Sequence, residues 1–154
     1  MSWPGQTAGR GALNIILVED DDGDAKAVVR AFQKARVANP IIRVRDGVDA
    51  LSLLRGETGS PPETYILLTD VNLPRMSGLE LLSEIRRDAR LARAVVFVMT
   101  TSDADRDKDL AHDGNVAGYI LKSNAGADFL NLVRTLDQYW HIVEMPDMPA
   151  RAEA

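Results

Sequence analysis

The chain has 154 residues, no cysteine and a formal net charge of −5. That length suits one domain with short tails, and the missing cysteines exclude disulfides and thiolate metal sites. No apolar run approaches the roughly 20 residues that cross a bilayer, no secretion signal is visible, and no Lys/Arg cluster offers a nucleic-acid footprint. The expectation is a cytoplasmic protein that binds neither membrane nor nucleic acid.

Residues 1–11 are rich in Gly, Ser, Pro and Thr and read as a flexible N-terminal tail. Asn14-Ile-Ile-Leu-Val18 is a continuous apolar run of strand length, the pattern of a strand buried on both faces. It stops abruptly at Glu19-Asp-Asp-Asp22. A helix follows, with Ala25, Val28, Val29, Phe32 and Ala35 on one face, and either Asp21 or Asp22 can cap its start. Pro40 breaks the connection and residues 41–44 give a second strand. Asp46-Gly47 reads as a turn ahead of a short helix whose face carries Ala50, Leu51, Leu53 and Leu54. Residues 56–64, with Gly and a Pro pair, are a loop.

Residues 65–69 form the third strand, ending at Asp70. Ser77 with Glu80 three residues later is a capping box that opens a helix through Leu81, Leu82 and Ile85. Residues 95–99 are the fourth strand and run into Thr100-Thr101-Ser102, with Ser102 as the cap of a polar helix over about 103–112 that has little apolar face. Residues 118–121 are the fifth strand, ending at Lys122. A last helix from about Ala127 carries Phe129, Leu130, Val133 and Leu136. Strands alternating with helices imply right-handed βαβ units. The predicted fold is α/β, a doubly wound five-stranded parallel sheet flanked by helices, over residues 12–138, with 139–154 as a C-terminal extension.

In such folds ligands bind outside the carboxyl ends of the strands. This chain places Glu19 and Asp20 after strand 1, Asp70 after strand 3, Thr100 after strand 4 and Lys122 after strand 5. Clustered carboxylates repel one another and call for a cation, and hard oxygen ligands suit Mg²⁺. With the metal bound, Asp70 can attack a phosphoryl donor and form an aspartyl phosphate, with charge on the transferred group neutralised by the metal and Lys122. Thr100 can donate a hydrogen bond to a phosphate oxygen. The run of three aspartates leaves two registers for the acid pair after strand 1, Glu19 with Asp20 or Asp20 with Asp21. The first is preferred, because the apolar strand ends at Val18 and the helix needs a cap at Asp21 or Asp22.

Leu17-Val-Glu-Asp20, Asp46-Gly-Val-Asp-Ala-Leu51, Thr69-Asp-Val-Asn-Leu-Pro-Arg-Met-Ser-Gly78, Met99-Thr-Thr-Ser102 and Gly118-Tyr-Ile-Leu-Lys122 resemble, in order and spacing, the successive signatures of response-regulator receiver domains. The resemblance covers nearly the whole chain and implies a CheY-like, flavodoxin-like fold and a two-component signalling role rather than an enzyme. It further implies a sensor histidine kinase as partner and Asp70 as the phosphorylated residue. Asp20, Asp70 and the backbone carbonyl of Asn72 are then the Mg²⁺ ligands, and Glu19 contacts a metal-bound water. Thr100 and Lys122 hold the phosphoryl group, Tyr119 is the rotameric switch, and Pro74 and Gly78 match the loop after the phosphoacceptor. Glu-Asp after strand 1, Thr-Thr-Ser after strand 4, Lys-Ser-Asn after strand 5 and the ending Tyr139-Trp140 with Val143-Glu-Met-Pro146 are similar to single-domain regulators that serve bacterial and cyanobacterial phytochromes, which implies a bacteriophytochrome-type kinase. Ser123 stands where many receivers have Pro after the lysine.

Trp140, Ile142 and Val143 extend an apolar face beyond the last helix that either folds back on the domain or buries against a second copy, and the homodimer interface is the preferred reading, whereas His112 and His141 read as surface residues. Three rival functions compare poorly. A phosphatase with an aspartate nucleophile needs a second acid where this chain has Asn72. A nucleotide or flavin module needs a Gly-rich loop after strand 1, where acids would repel a phosphate. A phosphorylation-independent, receiver-like binding module would not need the full phosphotransfer set. The residues after Asp137 are too few for a DNA-binding domain, so output is expected through protein contacts, dimer exchange or passing the phosphoryl group onward.

Overall fold

The computed structural model describes residues 13–100, 116–122, 127, 128 and 131. The expected polar helix over 103–112, the apolar face of the last helix, Ser102, Ser123, His112 and the extension with Trp140, Ile142, Val143 and His141 lie outside the described residues.

The described elements run β1 (Asn14–Val18), α1 (Asp22–Lys34), β2 (Ile41–Val44), α2 (Gly47–Leu54), β3 (Tyr65–Asp70), α3 (Gly78–Arg87), β4 (Val95–Thr100) and β5 (Gly118–Leu121). All strand pairs are parallel and the sheet order is β2-β1-β3-β4-β5. The chain therefore reverses its direction of winding between β1 and β3, whose carboxyl ends lie side by side.

Side chains alternate across a strand, and the central strands are apolar on both sides. Ile15 and Leu17 of β1, Ile66 and Leu68 of β3, Phe97 and Met99 of β4 and Ile120 of β5 pack with Ala25, Val28, Val29 and Phe32 of α1. Ile16, Val18, Leu67, Val96 and Val98 pack with Ala50, Leu51 and Leu54 of α2 and Leu81, Leu82 and Ile85 of α3. Among the described residues, α1 thus packs on one face and α2 and α3 on the other, and both faces of the central strands are covered, as continuous apolar strands require.

The helix starts are fixed by local chemistry. Asp21 caps α1, its carboxylate accepting from the Asp24 N–H at 2.7 Å. Ser77 and Glu80 make the expected reciprocal box at α3. The expected turn at Asp46-Gly47 is instead the start of α2: Asp46 caps the helix by accepting from the Asp49 N–H at 2.8 Å, and Gly47 is its first residue. Aspartate followed by glycine serves a turn or an N-cap equally well, so the dipeptide alone does not decide. Helix α1 ends one residue short of the expected apolar face, with Ala35 as its C-cap and Arg36 in the left-handed region at φ 62°.

Candidate functional site at the carboxyl rim of the sheet

Register builds the site. Val18 pairs with Thr69, so Glu19 and Asp70 emerge beside each other from β1 and β3. Asp70 pairs with Met99, and Thr100 pairs with Leu121, which brings Thr100 and Lys122 to the same rim. The pleat then sorts them. Glu19, Asp70 and Lys122 share the parity of Leu17, Leu68 and Ile120, the side covered by α1. Thr100 shares the parity of Val98, whose cross-strand partner is Tyr119, and Tyr119 packs against the core on the α2 and α3 side.

Carboxylate oxygens of Glu19, Asp20 and Asp70 lie within 4.8 Å of one another. Glu19 is fully buried and Asp70 nearly so, while Asp20 reaches solvent. Lys122 Nζ sits among the acids, 2.7 Å from Asp70 Oδ2, 2.8 Å from Glu19 Oε1 and 2.8 Å from Asp24 Oδ2. Burial pushes the Glu19 carboxyl above its ordinary value of 4.5, although Lys122 and the Asp21 N–H, which donates to Glu19 Oε2 at 3.1 Å, pull the other way. Burial works against the Lys122 ammonium as well, but its contacts with Asp24, Asp70 and Glu19 outweigh that and raise its pKa well above an ordinary lysine.

One lysine against Glu19, Asp24 and Asp70, with Asp20 beside them, leaves the rim with an excess of negative charge. Buried charge of one sign is costly unless compensated, and three oxygen donors converging from β1 and β3 match what a hard divalent cation takes. The chemistry of the donor set fits Mg²⁺ or Mn²⁺. With Asp21 committed to capping α1, the acid pair after β1 is Glu19 with Asp20.

The loop after β3 is held tightly against Asp70. The Asn72 N–H donates to Asp70 Oδ1 at 3.3 Å, and the Gly78 N–H donates to the Val71 carbonyl at 2.8 Å. Gly78 is obligatory here, since a Cβ on it would lie 2.1 Å from the Asp70 carbonyl oxygen. Arg75, in the left-handed region at φ 64°, reaches back to Asp46 through Nε at 2.9 Å and Nη2 at 3.0 Å, and to Asp49 at 3.2 Å. The Arg75 hydrogen bond holds the Asp46 carboxyl below its ordinary value of 3.8. This clamp ties the loop to the start of α2.

Of the expected site residues, Glu19, Asp20, Asp70 and Lys122 come together directly. Asn72 follows two residues after Asp70; Thr100 ends β4 at this rim, and Tyr119 lies on the neighbouring β5 opposite Val98, two residues before Leu121, the partner of Thr100. Sequence reasoning did not single out Asp24, which the fold brings to Lys122 from 98 residues away. Nor did it find Asp128, whose carboxylate accepts from the Leu121 N–H at 3.2 Å.

Comparison with known proteins identifies the family and the fold. The family described as "Response regulator receiver domain" matches residues 15–134. The chain is 36% identical over 127 residues to the probable methanogenesis regulatory protein FilR2 of Methanothrix harundinacea, covering 82% of each. It is 32% identical over 138 residues to the response regulator Rcp1 of Synechocystis, covering 88% of this chain and 92% of that protein. The Mn²⁺-bound form of Rcp1 superposes with a TM-score of 0.66 at 30% identity, over 86% of this chain and 98% of that one. The phosphorylated cyanobacterial phytochrome response regulator RcpA superposes with a TM-score of 0.66 at 33% identity, over 84% and 94%. The expected CheY-like fold and the likeness to phytochrome-associated regulators are thereby borne out, and among the described residues no helix is long and apolar enough to cross a membrane. The chain belongs to the response-regulator receiver family of two-component systems.

Proposed function

We propose that the protein accepts a phosphoryl group on Asp70 from the phosphohistidine of a sensor kinase of the bacteriophytochrome type. The observation that carries this reading is the position of Lys122 Nζ, 2.7 Å from Asp70 Oδ2, inside a group of three carboxylates that converge within 4.8 Å. An aspartate so placed has an oxygen for in-line attack and an ammonium beside the oxygens where charge develops. The bond from phosphorus to the histidine nitrogen breaks as the bond to the Asp70 oxygen forms, and the imidazole keeps the electron pair and takes up a proton.

Asp20, Asp70 and the backbone carbonyl of Asn72 are the proposed ligands of Mg²⁺, with Glu19 acting through a water. Held by these residues, a divalent cation would supply positive charge against the carboxylates and the phosphoryl oxygens. Thr100, buried at the end of β4, donates to the phosphoryl group, and Tyr119 follows by turning inward. The phosphoryl group shifts this equilibrium only through its different contacts with the two arrangements. The kinase class is supported by the likeness to Rcp1 and to RcpA, a phytochrome response regulator. A cytoplasmic location and a homodimer through Trp140, Ile142 and Val143 are proposed from sequence alone, as is the division into a tail over 1–11, a receiver over 12–138 and an extension over 139–154.

The test is phosphotransfer from a radiolabelled bacteriophytochrome kinase in the presence of Mg²⁺. Label is expected to move to the wild-type chain and not to an Asp70→Asn variant. Equal labelling of both, or transfer to neither while another receiver accepts it from the same kinase, would refute the proposal.

A further inference from the structure

Lys122 offers three N–H donors and stands among three carboxylates. Two of these, Glu19 and Asp70, belong to the converging group that a cation would share. The ammonium and a divalent cation therefore contend for the same two carboxylates. The third, Asp24, is not part of that group. It projects from the first turn of α1, its side chain is about half exposed, and its Oδ2 lies 2.8 Å from Lys122 Nζ. Its backbone is fixed in place, because the Asp24 N–H donates to the Asp21 cap at 2.7 Å. The neighbouring Asp22 is engaged elsewhere, by Arg43 at 2.7 Å and Arg45 at 2.9 Å.

We infer that Asp24 is a positioning residue for Lys122: it gives the ammonium an anionic partner outside the cation-binding group, so that the lysine remains at the rim while Glu19 and Asp70 turn to the cation. This rests on the reading of the site under Proposed function and adds to it a residue acting on cation affinity through another side chain. Two effects of removing the Asp24 charge have the same sign. A negative charge near the cation is lost, and Lys122 falls back on Glu19 and Asp70, where it competes harder. The plainer role of a first-turn acid, favourable interaction with the helix dipole, does not depend on Lys122 at all. A double-mutant cycle separates the two.

The experiment measures Mn²⁺ binding to the full chain by the paramagnetic resonance of free Mn²⁺, without any phosphodonor. Wild type, Asp24→Asn, Lys122→Ala and the double variant form the cycle, with Asp22→Asn and Asp70→Asn as references. Asp24→Asn is expected to weaken Mn²⁺ binding about 3–10-fold in the wild-type background and less than about twofold in the Lys122→Ala background. Asp22→Asn is expected to change it by less than about twofold. An Asp24→Asn effect of the same size in both backgrounds, an equal effect from Asp22→Asn, or no effect in wild type would overturn the inference while leaving the cation site standing. Wild-type protein that binds no Mn²⁺, or binds it as well after Asp70→Asn, would overturn the reading of the site and the inference with it.

Discussion

Gly78 packs its α-carbon against the backbone of Asp70 so closely that a Cβ would lie 2.1 Å from the Asp70 carbonyl oxygen and 3.0 Å from the Val71 Cα. The atoms in the way are backbone, at the end of a strand buried along its whole length, and they cannot step aside as a flexible side chain could. The start of α3 and the proposed phosphoacceptor are therefore one mechanical unit.

Replacing Gly78 by Ala is accordingly expected to destabilise the domain by at least the roughly 1–3 kcal/mol typical of an overpacked site and to displace Asp70 from Lys122. Urea unfolding gives the first quantity. The second appears as a loss of Mn²⁺ affinity well beyond that of a surface alanine substitution such as Glu57→Ala. A Gly78→Ala protein with wild-type stability would show that the loop after β3 relaxes freely.

Lys122→Ala is expected to lower stability in the absence of divalent cations, by about 1–3 kcal/mol. That is less than the full cost of orphaning a deeply buried pair, since the rim is partly hydrated. It also removes a competitor for Glu19 and Asp70, so Mg²⁺ is expected to raise the thermal midpoint of Lys122→Ala by more than that of wild type. Thermal unfolding with chelator and with saturating Mg²⁺ checks both parts. An equal rise in the two proteins would contradict the placement of the lysine among the cation's ligands.

Acid sensitivity follows from the clamp between Asp46 and Arg75. Arg75 holds the Asp46 carboxyl below the ordinary 3.8 in the folded protein. A depressed folded-state value stabilises the fold at pH above the unfolded value, and that stabilisation is lost as pH falls through the folded one. The stability difference between wild type and Arg75→Ala should therefore be full at neutral pH and shrink below about pH 4. Urea unfolding across a pH series in chelator measures it. A difference that stays constant into acid would assign the clamp's contribution to packing rather than to charge.

What the sequence made legible follows from how local its signals are. β1 and β3 read as strands because apolar runs of strand length have one physical use in a domain of this size. The acids at their ends stood out because charge directly after a buried strand has few structural explanations. The Ser77 box was readable because both of its bonds span three residues. Asp24 was not, since in a run of acids it looks like one more favourable first-turn residue, and its partner is 98 residues away. The same holds for Asp46. Aspartate before glycine signals a turn as readily as a helix cap, and the arginine that makes it a buried anchor is 29 residues further on. Only the β2-β1-β3-β4-β5 order and the strand parity bring such pairs together.

The proposed switch depends on Asp70, with a divalent cation gathered by its acidic neighbours, taking a phosphoryl group. Intact-mass spectrometry after incubation with phosphoramidate and Mg²⁺ tests it most directly. Wild type is expected to gain one phosphoryl group per chain, and none with chelator in place of Mg²⁺ or after Asp70→Asn. A phosphoryl group that still appears on the Asp70→Asn chain, or that wild type acquires equally well without the cation, would contradict it.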